Sequence, residues 1–264
     1  MYLPEAFAER DPVLLAQFID AFPLGLLITN ELITNELITS DSEHDTQHIV
    51  ANLLPFEFSA GAAHAGVLRA HIARANPLAQ TLAAAAVSAE VLVVFQGPQS
   101  YVSPGWYPGK HVHGKVVPTW NYTMLQARGR MRTIDDAGWL EALITRLTAR
   151  HESAFASPWA PRDAPPDFLE SMLKAIIGIE IDVHALVGKW KLSQNRDVAD
   201  RAGVVAGLAQ HPRTAGNDLA SWILLKECRA NAAPADRDAP PPVARLRCRR
   251  LRGGTQLRVG SRDH

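Results

Sequence analysis

The sequence predicts an α+β fold, with strands in the centre of the chain and helices around them. Residues 91–95 read VLVVF, a β-branched apolar run that is typical of a buried strand. Residues 139–147 and 168–176 place apolar side chains at the spacing of one helical face. Hydrophobic content of 47% and charged content of 20% are ordinary for a soluble globular chain.

The first third of the chain predicts one helix followed by strands. Asp11 and Pro12 indicate a helix start, because Asp accepts an N–H bond at the N-cap and proline loses none at the first helical position. The pattern predicts strands at 24–29, 47–58 and 66–72, and a helix from 76 to about 87. The repeat LITNE, LITNE, LITS has a period too short for a repeat fold. We interpret it as a tandem duplication that lengthens a hairpin loop, with a dedicated binding loop as the alternative.

The second half predicts an aromatic loop, an extended segment and three helices. The loop spans 97–114 and the extended segment 115–132. Helices are predicted after a cap at Asp135 and Asp136, over 166–177 with a stop at Gly178, and over 196–208, with a strand between the last two. We expect a domain at 1–210 and an extension at 211–264. From about residue 233 the extension is predicted to be disordered and basic, with eight arginines against three aspartates.

Charge and cysteine content exclude several classes of protein. The 27 basic and 27 acidic residues balance, so the whole chain offers no broad attraction to nucleic acid or to a membrane. Cys228 and Cys248 are too few for a disulfide scaffold or a four-cysteine zinc site. The N-terminus is charged where a signal peptide is apolar, and no apolar run is long enough to span a bilayer. We therefore expect a cytoplasmic location.

Three segments, 71–77, 101–122 and 188–196, combine cations, amides and aromatic rings. FMN needs those groups, because its phosphate binds cations and donors while its ring needs a stacking surface and amide contacts. The candidates are, for the phosphate, Arg74, Lys115, Lys189 and Lys191; for the ring faces, Trp106, Tyr107, Trp120 and Trp190; and for the ring edge, Asn76, Gln96, Asn121, Gln194 and Asn195.

The same residues are also compatible with ordinary packing roles. Trp120 and Trp190 are each typical of a core or rim position, and lysines alternating about Trp190 suit any half-buried strand end. His111 and His113 have a spacing that metal sites use, but we interpret them as loop histidines and predict no metal site. The sequence has no triad order, Walker loop or Rossmann glycine pattern, so we assign no catalytic residue and expect any catalysis to come from the cofactor.

Five ordered segments closely resemble the PaiB family of FMN-binding negative transcriptional regulators. They are MYLPEAFAERDP, LRAHIARANP, FQGPQSYVSPGWYPGKHVHGKVVPTWNY, RLTARHE and IIGIEIDVHALVGKWKLSQNR. The resemblance covers about residues 1–208 and implies a flavin-reductase-like split β-barrel with peripheral helices, with FMN at a homodimer interface. The family's motifs fall on Arg74, Asn76, Tyr101, Ser103, Trp106, Tyr107, Lys115, Thr119, Trp120, Asn121, Lys189, Trp190, Lys191, Gln194 and Asn195.

The function that this resemblance implies is FMN binding linked to negative transcriptional regulation. A flavin-dependent reductase or oxidase using the same FMN site is the first alternative, and a dimeric interaction module without flavin is the second. The expected partners are a second copy of the chain, FMN, and DNA or a regulatory protein. No helix-turn-helix pattern is evident, and the Arg-rich tail suits a solvated segment as well as a DNA contact.

Overall fold

The computed structural model describes residues 1–33, 46–61, 65–79, 89–210 and 214–231. The chain forms two units whose segments alternate along the sequence. The first unit comprises Met1–Gly97 and Thr123–Trp190, and the second comprises Pro98–Tyr122 and Lys191–His264. The predicted tail after residue 233 lies outside the described residues, so its disorder stays a prediction.

Eight strands of the described residues form one sheet. They are β1 (Ala8–Glu9), β2 (Leu24–Ile33), β3 (Thr46–Pro55), β4 (Glu57–Ser59), β5 (Gly66–Ala73), β6 (Ala89–Val102), β7 (Thr119–Ile134) and β8 (Ile176–Lys191). Their order is β3-β2-β6-β7-β8-β5-β4, and β1 pairs with β8. The pairs β2–β3, β2–β6, β4–β5, β5–β8 and β1–β8 are antiparallel.

The two edges of the sheet are joined by one residue. Strands β3 and β4 stand at opposite ends of the strand order, yet only Phe56 separates them in the chain. The sheet must therefore curve until its edges meet, which is the arrangement of a barrel. Phe56 is fully buried, and its ring meets Phe95 edge to face at 5.8 Å between centroids. The predicted α+β fold is confirmed.

Six helices of the described residues accompany the sheet. They are α1 (Pro12–Ala21), α2 (Gly109–His113), α3 (Ala137–Glu152), α4 (Pro166–Lys174), α5 (Val198–Gln210) and α6 (Thr214–Asn231). None of the helices in the described ranges is long and apolar enough to cross a membrane.

Two predicted helix starts are confirmed by their caps. The Asp11 side chain accepts hydrogen bonds from the backbone N–H groups of Val13 and Leu14, and Pro12 takes the first helical position. The Asp136 side chain likewise accepts the N–H of Trp139 at 2.6 Å. A carboxylate at the N-cap satisfies an otherwise unbonded donor, which is why a short sequence signal located both helices correctly.

Other boundaries differ from the prediction. Helix α4 ends at Lys174, and Gly178 lies inside strand β8 instead of ending the helix. The absence of a side chain at Gly178 makes room for the Trp139 ring, because an added Cβ would lie 2.4 Å from it. The first LITNE motif lies inside β2, which pairs with β3 as far as Ile33, so this copy lengthens the strand and not the loop. Residues 34–45 lie outside the described residues.

Candidate functional site

The structure gathers most of the candidate residues in the second unit. Eleven of the sixteen lie there: Tyr101, Ser103, Trp106, Tyr107, Lys115, Thr119, Trp120, Asn121, Lys191, Gln194 and Asn195. The other five, Arg74, Asn76, Gln96, Lys189 and Trp190, belong to the first unit.

Two side-chain hydrogen bonds join the start of β7 to the end of β8. The Lys191 ammonium donates to the Thr119 hydroxyl. Two residues further along each segment, the Asn121 amide donates to the Ser193 hydroxyl at 2.8 Å. Because alternate residues of a strand share a face, Thr119 and Asn121 point to the same side of β7. The two bonds therefore form consecutive links on one face.

The hydrogen bond between Asn121 and Ser193 is buried. Asn121 is 0% exposed and Ser193 is 3% exposed. The amide oxygen of Asn121 is also buried and has no hydrogen-bond partner among the described residues. Ser193 has a φ of 66°, which lies in the left-handed region that costs a non-glycine residue about 1–2 kcal/mol.

Tyr101 of β6 and Trp120 of β7 form an exposed aromatic pair. The rings of Tyr101 and Trp120 meet edge to face with centroids 6.2 Å apart. Tyr101 is 43% exposed and Trp120 is 52% exposed, so both offer ring surface to solvent. Trp120 directly follows Thr119 and so projects to the other side of the strand. The two rings offer apolar surface on the side of β7 opposite to Thr119.

The neighbouring aromatic residues of the loop serve packing. The Trp106 ring lies against α5, where an added Cβ at Gly207 would come within 2.3 Å of it. Tyr107 is 1% exposed, and the guanidinium of Arg196 lies 4.8 Å from the centre of its ring. Burial raises the pKa of the Tyr107 hydroxyl, and the charge of Arg196 offsets only part of that effect. Trp106 thus packs the loop on α5, and Tyr107 packs it on the segment just before that helix.

The remaining second-unit candidates are mostly peripheral. Lys115 and Asn195 are exposed. The Ser103 hydroxyl accepts the N–H of Gly105 at 3.2 Å and so caps a short 3₁₀ turn. The Gln194 side-chain oxygen accepts the N–H of Leu192 at 2.7 Å, which fixes the backbone just after Lys191.

Two residues of this region were missed by the sequence analysis. One is Ser193, whose position between Lys191 and Gln194 was the available signal. The other is Asp200, which is 4% exposed and accepts the N–H of Gly109 at 3.0 Å. A buried aspartate that binds a distant backbone group leaves no pattern in the sequence.

The two cations among the first-unit candidates, Arg74 and Lys189, already bind other groups of the protein. Arg74 forms a two-bond ion pair with Asp135 and donates to the carbonyl of Lys174 at 2.9 Å. The Lys189 ammonium donates to the carbonyl of Tyr2 at 2.9 Å.

The other three differ in exposure. Asn76 donates to the Asn52 side chain at 3.1 Å, and Trp190 is 1% exposed, with its ring 6.1 Å from that of Phe18. Gln96 is exposed on β6. A ligand would reach Trp190 only if the core opened.

A separate cavity of about 300 Å³ lies within the first unit. Helix α3 supplies Leu147 and Glu152 to its wall, and His71 and Trp159 complete the lining with other residues, none of them an FMN candidate. Burial lowers the pKa of His71. Among the described residues, no group of three histidine, cysteine or acidic side chains is arranged to hold a metal ion.

The curved antiparallel sheet and the aromatic and lysine groups on β7 and β8 define an α+β protein with a surface suited to a phosphorylated, planar cofactor. The family described as "Putative FMN-binding domain" matches residues 1–185, and the chain belongs to this FMN-binding family.

Relatives of known sequence agree with this membership. An uncharacterized protein of Emericella nidulans is 37% identical over 246 residues, covering 84% of this chain and 96% of the relative. The protease synthase and sporulation protein PAI 2 of Bacillus subtilis is 28% identical, with the same shares of the two chains covered. The predicted resemblance to the PaiB family is thereby confirmed. Among solved structures, the flavocytochrome Anf3 of Azotobacter vinelandii aligns with a TM-score of 0.44 at 11% identity, over 74% of this chain and 75% of that one.

The residues present fit FMN. The exposed rings of Tyr101 and Trp120 are a stacking surface, and the ammonium of Lys191 with the hydroxyl of Thr119 is a donor set suited to a phosphate. FMN carries its ring and its phosphate at opposite ends of a flexible chain. Its two ends can therefore contact separate groups of the protein.

Proposed function

We propose that this chain binds one FMN per subunit on the second unit and acts, as a homodimer, in negative transcriptional regulation. The main support for the binding site is the exposed Tyr101–Trp120 pair, because solvent-facing aromatic side chains on a sheet offer the stacking area that a flavin ring needs. Lys191 and Thr119 then hold the phosphate, and Lys115 adds a further positive charge near it in sequence. Bound FMN supplies a ring that accepts and returns electrons.

The homodimer is supported by exposed apolar side chains in the same unit. Val112 is 82% exposed and Val117 is 63% exposed, in the segment that leads into β7. These two side chains offer apolar surface that a second copy would cover. Analytical ultracentrifugation is expected to give twice the mass of the chain, and a monomer at micromolar concentration would contradict the proposal.

Regulation is supported by the resemblance to the PaiB family. The chain carries no net charge, which is a poor basis for reading an operator through phosphate contacts. We therefore propose that the effect on transcription runs through a protein partner. Salt-dependent binding of the purified protein to promoter DNA would count against this part of the proposal.

An FMN titration followed by flavin fluorescence tests the binding site. We expect saturable quenching at one FMN per subunit, and a loss of about fivefold in affinity for Trp120→Ala, since stacking contributes roughly 1 kcal/mol. Trp159→Ala is the matched control, because Trp159 is similarly exposed at 46% but lies in the first unit. Equal affinities for the two variants would refute the assigned surface. Steady oxidation of NADPH by the loaded protein would favour the reductase instead of the regulator.

A further inference from the structure

Ser193 has an unusual backbone conformation for its residue type. Among the described residues it is the one non-glycine with positive φ, at 66°. An L-residue with a side chain is disfavoured there, and such outliers persist only where the surroundings fix them, often at functional sites. Strand β8 ends at Lys191, so Ser193 lies two residues beyond the end of the strand.

The Ser193 carbonyl accepts the N–H of Arg196 at 2.9 Å, and the Ser193 side chain is held by Asn121. Its amide donates to the serine hydroxyl at 2.8 Å, and both side chains are buried. The arrangement is costly for the fold, because the amide oxygen of Asn121 is enclosed without a hydrogen-bond partner among the described residues. A purely structural contact at this place would be better served by an apolar pair. A role beyond packing explains why the two polar groups are kept.

That role follows from the matching spacing of the two hydrogen bonds, Lys191–Thr119 and Asn121–Ser193. Asn121 lies two residues after Thr119, and Ser193 lies two residues after Lys191. The bond between Asn121 and Ser193 therefore sets the distance between the two segments that carry Thr119 and Lys191. The Gln194 side chain reinforces this by accepting the N–H of Leu192, the residue between Lys191 and Ser193.

We propose that Asn121 and Ser193 are positioning residues, which hold the Lys191 ammonium beside the Thr119 hydroxyl so that the two groups bind the phosphate of FMN together. This inference rests on the proposed FMN site and adds to it the residues that set the geometry of its phosphate end. In this arrangement Asn121 contacts no part of the ligand. It acts through Ser193 and the short backbone segment that leads back to Lys191.

FMN and riboflavin form a matched ligand pair that isolates this effect, because they share the ring and differ in the phosphate. General loosening of the second unit would weaken both ligands alike. Loss of positioning at the phosphate end would weaken FMN and spare riboflavin. The ratio of the two dissociation constants is therefore a readout that a merely structural role does not move.

The experiment measures both dissociation constants for the wild-type protein and for Asn121→Ala and Ser193→Gly. Glycine tolerates the positive φ, so Ser193→Gly removes the hydroxyl without opposing the backbone conformation. Thr145→Ala is the control, since its hydroxyl bonds only to the Glu141 carbonyl within α3. We expect FMN affinity to fall about tenfold in both variants, the lower range for one charge-assisted hydrogen bond, with riboflavin affinity changed less than about twofold.

The outcomes separate the two levels of the proposal. Parallel losses for FMN and riboflavin, or no loss for either, would overturn the positioning role while leaving the FMN site intact. Wild-type protein that binds neither flavin would overturn the proposed site itself. If Asn121→Ala fails to fold, as judged by its thermal melting, Ser193→Gly alone decides the question.

Discussion

Lys189 and Lys191 stand two residues apart on β8 and have different partners. Lys189 donates to the Tyr2 carbonyl and lies 5.6 Å from the centre of the Tyr2 ring. Lys191 instead donates to the Thr119 hydroxyl in the second unit. In the sequence the two lysines are equivalent candidates for the phosphate. The structure gives them separate surroundings, so single substitutions can now assign the phosphate contact.

Lys191→Ala is expected to weaken FMN binding by about tenfold to a hundredfold, because a hydrogen bond to a charged group contributes roughly 1.5–3 kcal/mol. Lys189→Ala is the matched control and is expected to change FMN affinity less than about twofold. Fluorescence titration of both variants measures the difference. A larger effect at Lys189 would move the phosphate site to the first unit.

At the residue scale, residue type and motif were sufficient to nominate the candidate site, while side-chain environment was not predictable. Trp120 and Trp190 look alike in the sequence, yet one is 52% exposed and the other 1%. That difference depends on which face of a strand meets the core, and it is set by pairing between distant segments. The role of Asp200 is equally non-local, because its partner Gly109 lies in another part of the chain.

Among the secondary-structure elements, the connection from β3 through Phe56 to β4 has the largest effect on the fold. It joins the two edges of the sheet with one buried aromatic residue. The sequence analysis predicted a single strand over residues 47–58, since the apolar pattern continues across the bend. The strand propensity of the residues does not reveal a bend in the chain that the curvature of the whole sheet imposes. Helix starts were predictable because capping is a local interaction.

Phe56→Ala is expected to lower the free energy of unfolding by about 3–5 kcal/mol, because it empties a fully enclosed ring position. Urea unfolding followed by far-UV circular dichroism measures the change. Phe155→Ala is the control, since Phe155 is 63% exposed and its removal is expected to cost less than about 0.5 kcal/mol. Similar values for the two variants would contradict the view that Phe56 closes the sheet.

At the scale of the whole molecule, Glu180 links three neighbouring strands. It lies on β8 and binds Arg69 on β5 and Arg132 on β7. Burial acts to raise the pKa of Glu180, but the hydrogen bonds and charges of the two arginines outweigh it and leave the pKa below its ordinary value. A carboxyl whose pKa is lowered by folding stabilises the folded state at neutral pH and loses that contribution on acidification.

Glu180→Gln is therefore expected to lower stability by about 1–2 kcal/mol at pH 7, a value reduced by the exposure of Arg132. The difference from the wild-type protein should shrink as the pH falls below the ordinary glutamate value of 4.5, because the unfolded chain then binds a proton at Glu180 more readily than the folded protein does. Urea midpoints between pH 7 and pH 3 measure it. Glu170→Gln, in an exposed pair with Lys174, is the control, and a constant difference across this range for Glu180→Gln would refute the linkage.

The alternation of the two units along the chain also determines the order in which the protein can be completed during synthesis. Residues 98–122 leave the ribosome early. Tyr107 contacts Arg196 and Asn121 contacts Ser193, and both partners are synthesised at least about 70 residues later. Until then the aromatic loop has no helix to cover it. A nascent chain paused before residue 191 would expose that loop to chaperones and proteases, while the first unit already has its full sequence.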